Sequence, residues 1–71
     1  MSTYTVIKEF NFGKYRLQAW RMYYGYIGQY AYGVTLMDLD TLDDVFDLEF
    51  DTEEEAIDHF DMDKHALEVS V

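Results

Sequence analysis

Residues 45–60, VFDLEFDTEEEAIDHF, decide the fold class, because they pass from the period of a strand to that of a helix within a few positions. Phe46, Leu48 and Phe50 alternate with Val45, Asp47 and Glu49, as on a strand with one wet face. Thr52-x-x-Glu55 then forms a capping box ahead of Ala56, Ile57 and Phe60, with Glu53, Glu54 and Glu55 in the first turn, where the helix dipole favours negative charge. A helix over about residues 53–61 follows.

Upstream, Asp38 to Asp44 is a polar turn rich in aspartate, and before it Tyr30, Tyr32, Val34 and Leu36 give the clearest alternation in the chain. Gly25 to Gln29 reads as a loop. The run from Tyr15 to about Tyr24 starts with Tyr15, Leu17 and Ala19 on one face and continues with Trp20, Met22 and Tyr24 on the other. That phase change predicts either a bulge or a strand covered on both sides. Gly13-Lys14 is a tight turn. Ahead of it Tyr4, Val6, Phe10 and Phe12 read as one face, with Lys8 and Ile7 out of phase, as at a sheet edge or in a strand that buries parts of both faces. Downstream, Ala66 to Val71 alternates Leu67 and Val69 with Glu68 and Ser70, a fifth strand or a frayed end, with the strand favoured. The expected architecture is α+β: an antiparallel meander sheet of three to five strands with one short helix packed on one face, residues 1–71 forming a single small acidic domain.

The 71 residues include no cysteine, so neither a disulfide framework nor a thiolate zinc site supports the fold. A chain of this length buries only about 60% of the surface its unfolded form exposes, which leaves little room for a substrate cavity. Packing material is plentiful: 49% of residues are hydrophobic and 18% aromatic, far from the make-up of a disordered acidic tail. No stretch approaches the roughly 18 apolar residues of a transmembrane helix, and no targeting segment is recognised, so the expected location is cytoplasmic. The net charge of −10 argues against direct binding to nucleic acid or an anionic membrane and towards a basic partner.

Charge is also segregated. Residues 1–37 carry Lys8, Lys14, Arg16 and Arg21 against Glu9 alone, whereas residues 38–71 carry fourteen acids against Lys64. Solubility needs charge but does not need it all in one half. The candidate partner-binding acids are Asp38, Asp40, Asp43, Asp44, Asp47, Glu49, Asp51, Glu54, Asp58 and Asp61. On a strand, Asp47, Glu49 and Asp51 would stand about 6.7 Å apart, roughly two nucleotide rises of a DNA strand. On a helix, Glu54, Asp58 and Asp61 share a face. Such rows imitate a phosphate backbone, although a solvated helix face with capping carboxylates explains many acidic segments equally well.

Other chemistries find less support. Asp38, Asp40, Asp44 and Glu49 fit positions 1, 3, 7 and 12 of a calcium loop, but Leu42 and Asp43 stand where a ligand and a turn glycine belong. His59 and His65 lack a serine or cysteine nucleophile in reach and read as exposed residues at a helix end. A non-enzymatic protein without cofactor or bound metal is expected. The aromatic cluster Trp20, Tyr23, Tyr24, Tyr26, Tyr30 and Tyr32, interleaved with Arg16, Arg21 and Gln29, has the composition of a protein interface; Trp20, Tyr24 and Tyr26 are the candidate contacts.

In size and charge the chain resembles the small acidic proteins that phages and plasmids direct against host defences, the anti-restriction and anti-CRISPR inhibitors, several of which are DNA mimics. The resemblance has no motif behind it and assigns no residue a role. It implies an inhibitor that occupies a basic, nucleic-acid-binding site on a partner protein. The alternative is a self-associating adaptor or structural module, a possible homodimer, joined through the aromatic sheet face.

Overall fold

The computed structural model describes residues 2–69. Four strands, β1 (Ser2–Phe12), β2 (Tyr15–Tyr24), β3 (Gln29–Asp38) and β4 (Asp43–Phe50), precede one helix, α1 (Glu53–Val69). They pair antiparallel in chain order, β1-β2-β3-β4, so the meander leaves β1 and β4 as edges. Short connections enforce that order. Gly13 opens the β1–β2 turn at φ 57° and Gly28 closes the β2–β3 loop at φ 66°, conformations that cost glycine little.

β2 and β3 pair from Tyr15↔Asp38 to Tyr24↔Gln29 without a register shift. The phase change in β2 is therefore no bulge; the strand carries apolar side chains on both faces. The bulge lies in β1, where pairing steps from Val6↔Trp20 to Lys8↔Ala19 and leaves Ile7 unmatched. One extra residue flips everything beyond it to the opposite face. Phe10 and Phe12 thus point towards the helix while Tyr4 and Val6 point away from it, which corrects their reading as a single apolar row. A second shift, at Leu36/Met37, sets Met37 opposite Asp44 and leaves Val45 unmatched and exposed.

Leu17, Ala19, Val34 and Leu36 form the inward side of the sheet, closed by Ala56 and Phe60 of α1. Phe10, Tyr15, Tyr32, Phe46, Phe50 and Leu67 pack around them. Fully burying side chains such as Leu17 and Val34 is worth about 1.5–3 kcal/mol each, and no polar or charged residue is buried among the described residues. The result is two layers, 43 × 25 × 15 Å in extent.

The helix starts as its cap predicts: the Glu55 backbone N–H donates to Thr52 Oγ1 at 3.3 Å, and the Thr52 hydroxyl donates to Glu55 Oε1 at 3.1 Å. It runs to Val69, well past residue 61, so residues 66–69 are helical rather than a fifth strand; Ser70 and Val71 lie outside the described residues. The physical reason is a second apolar period. Leu67 falls seven residues after Phe60, two helical turns along the same stripe, and packs on the core, while the Lys64 ammonium sits 5.3 Å from the Phe10 ring centroid. No helix is long and apolar enough to cross a membrane among the described residues.

Candidate functional site

Because successive strand residues face opposite ways, the side of the sheet away from α1 is built from the residues the core leaves over. Tyr4 and Val6 come from β1, Arg16, Gln18, Trp20, Met22 and Tyr24 from β2, Thr35 and Met37 from β3, and Asp44 and Asp47 from β4. They line an open groove of about 540 Å³. Trp20 crosses from β2 onto β3 because Gly33, its cross-strand partner, has no side chain. A Cβ there would overlap Trp20 Cζ2 and lie 2.6 Å from the Leu48 carbonyl oxygen.

A hydrogen-bond relay fixes the indole. Trp20 Nε1–H donates to Thr35 Oγ1 at 2.9 Å, and the Thr35 hydroxyl donates to Asp47 Oδ1 at 2.9 Å. The Tyr4 ring lies beside it, 5.9 Å between centroids. Partial desolvation, reinforced by the negative charge of Asp47 and then Asp44 against the opposing charge of Arg16, holds the Tyr4 phenol above its ordinary pKa. A second chain crosses the groove floor: Gln18 Nε2 donates to Glu9 Oε1 at 2.7 Å, and Arg16 Nε stands 4.0 Å from that oxygen. Asp47 Oδ2 and both oxygens of Asp44 accept no hydrogen bond among the described residues.

Nine of the ten candidate acids divide into three groups, and Asp38 stands apart. Asp44, Asp47 and Glu49 stand on the groove side of β4, since Glu49 is paired with Gly33 and Asp47 with Thr35. Glu54, Asp58 and Asp61 ride on α1, on the other side of the sheet, exposed to solvent. Asp61 is engaged by Lys8 at 3.0 Å. Asp43, Asp40 and Asp51 are exposed at the hairpin end of β4, in its turn and at the entry to α1. Asp38 is used by the fold. Its carboxylate accepts the Asp40 and Thr41 backbone N–H groups at 2.9 and 3.4 Å and pairs with Lys14 at 3.3 Å. Desolvation pushes its pKa up, but those donors together outweigh it and hold the carboxyl below the ordinary value.

Of Asp47, Glu49 and Asp51, the first two share one face of β4, and Asp51 lies one residue beyond its end. Of the aromatic candidates, Trp20 and Tyr24 line the groove, and Tyr26 lies in the β2–β3 loop, 75% exposed, edge-on to Tyr24 at 6.1 Å. Among the described residues no three carboxylate or histidine side chains converge where a metal ion would sit. Tyr4, Gly33 and Thr35 escaped the sequence reading as site residues; the out-of-phase Ile7-Lys8 pair was the signal that Tyr4 had changed faces. Comparison with known proteins finds no matching family, curated protein or solved structure.

Proposed function

We propose that the chain is a non-enzymatic interaction protein that lays an acidic edge into a basic, nucleic-acid-binding site of another protein, standing in for a phosphate backbone. One observation carries the reading. The strands follow chain order, so the charge gradient along the sequence becomes a gradient across the molecule, from Lys8, Lys14, Arg16 and Arg21 on or beside β1 and β2 to the carboxylates of β4 and the start of α1. Asp40, Asp43, Asp44, Asp47, Glu49, Asp51, Glu54 and Asp58 are exposed and have no cationic partner within 4.0 Å among the described residues. Six of these lie along or at the ends of β4 and two on the first turns of α1 in the layer behind it; unpaired carboxylates gathered in this way raise the local field and steer a basic partner to it. An inhibitor of the anti-defence kind, directed at a nuclease or restriction enzyme, has this chemistry.

The test is capture of partners from a lysate at low and high salt, with duplex DNA as competitor and Asp47→Lys/Glu49→Lys/Glu54→Lys as the altered bait. Mimicry requires a basic nucleic-acid-binding protein that salt and DNA both displace and that the reversed bait fails to hold. A partner indifferent to salt, DNA and charge reversal excludes it.

A second reading, self-association, draws on a separate observation: Tyr4, Val6, Tyr26, Ile27 and Tyr30 are each at least 41% exposed towards one end of the sheet. A dimer that dissociates on Trp20→Ala or Tyr26→Ala, measured by sedimentation, supports that reading; a monomer at high concentration rules it out.

A further inference from the structure

The groove opposite α1 combines two features: an aromatic wall, Trp20 with Tyr4 and Tyr24, and carboxylates with free acceptor oxygens, Asp47 and Asp44. The relay through Thr35 holds the indole and Asp47 in fixed relation, with Asp47 Oδ2 left over. The groove's own cation, Arg16, is turned towards Glu9 and Met37: its Nη2 reaches Met37 Sδ at 3.5 Å and its Nε stands 4.0 Å from Glu9 Oε1. It leaves Asp44 and Asp47 outside ion-pair distance.

We propose that this groove receives an arginine side chain projected by the partner protein, the guanidinium lying against Trp20 and Tyr4 and donating its N–H groups to Asp47 and Asp44. A guanidinium matches both features at once, since its flat, weakly hydrated face stacks on aromatic rings while its edge donates in a fork to carboxylates. An ammonium offers a strongly hydrated point charge and no face. Basic sites built to hold phosphates are rich in arginine, so the inference deepens the acidic-edge reading and rests on it.

Trp20 is the sole tryptophan, so its fluorescence reports on the groove directly. The experiment titrates the full chain with blocked hexa-arginine and hexalysine peptides at about 0.15 M salt, where long-range attraction is screened and acts equally on both. The groove predicts saturable arginine binding with a change in Trp20 emission, about tenfold tighter than lysine. Asp47→Asn should weaken hexa-arginine binding by about tenfold and abolish the preference, while Glu68→Gln, on the exposed end of α1, changes it by less than about twofold. Far-UV circular dichroism of both variants checks that the fold is intact. Equal affinity for the two peptides, an unmoved Trp20 signal, or equal effects of the two substitutions overturns the groove. Those outcomes leave the acidic edge standing if charge reversal still destroys partner capture, so the two ideas fail separately.

Discussion

Leu17, Ala19, Val34 and Leu36 point to one side of the sheet; Gln18, Trp20, Gly33 and Thr35, their neighbours in the chain, point to the other. The first set is closed under Ala56 and Phe60 and holds no polar side chain. The second stays open, with an indole tied through a threonine to the Asp47 carboxylate and a second acid, Asp44, beside it. The same backbone thus supports two surfaces of different chemistry, because a strand assigns alternate residues to opposite faces. On the covered face the chemistry is spent on stability. The open face adds little to the core, and its unpaired carboxylates, Asp44 and Asp47, come from β4, the edge strand opposite β1 and its Lys8.

Substitution on each face measures that division. Phe60→Ala removes the ring that closes the covered face and should cost about 3–5 kcal/mol, enough to unfold much of so small a domain, as thermal or urea melts by circular dichroism will show. Tyr4→Ala, on the open face, should cost only about 1 kcal/mol. If the two losses are equal, the open face is part of a core, and the comparison breaks.

Gly33→Ala sharpens it from the other side. The added methyl meets the indole and the Leu48 carbonyl, so a loss of about 1–3 kcal/mol and a red shift of Trp20 emission are expected. In a Trp20→Ala background the penalty should shrink, since only the carbonyl then remains in the way; a double-mutant cycle reads the difference. Thr52→Ala acts on the lid alone. Loss of the cap should cost about 1 kcal/mol in the same melts and leave the wavelength of Trp20 emission in the folded protein unchanged.

The smallest expected effect lies at the end of the sheet, beside Tyr15, where Lys14 joins Asp38. Asp38 is held below its ordinary pKa of 3.8, so its contribution is present above that value and is lost as pH falls through the lower folded one. Lys14 is held above 10.5, chiefly by its hydrogen bond to Asp38, so its contribution is present below 10.5 and is lost as pH rises past the folded value. The stability difference between the wild type and Lys14→Met should therefore be flat across neutral pH and vanish at both extremes. A difference that changes near pH 7 points to another group.

Most of the covered face was legible in the sequence. Alternation in Tyr30–Leu36 and Phe46–Phe50, the Gly13-Lys14 turn and the Thr52 cap are local signals, and each formed where local physics places it. The end of the helix was not legible from alternation, because Leu67 and Val69 also satisfy a strand period; packing of Leu67 on the core and Lys64 beside Phe10 decides for helix. The open groove was legible only in part. Trp20, Tyr24, Asp44 and Asp47 are conspicuous as residue types, but Gly33 and Thr35 matter only through the β2–β3 register, and Tyr4 joins them only because the bulge at Ile7 turns β1 over. Asp38 shows the opposite failure: an acid that reads as surface charge is held by its own turn.

An acidic edge that takes the place of nucleic acid on a basic partner must release that nucleic acid when it binds. The most direct measurement is fluorescence anisotropy of a labelled duplex bound to the captured partner, titrated with the wild-type chain and with Asp44→Lys/Asp47→Lys/Glu49→Lys. Release of the duplex by the wild type, weakened by salt and lost in the reversed variant, is the predicted result. A duplex that stays bound while the chain binds alongside it, or a reversed variant that releases it equally well, contradicts the account.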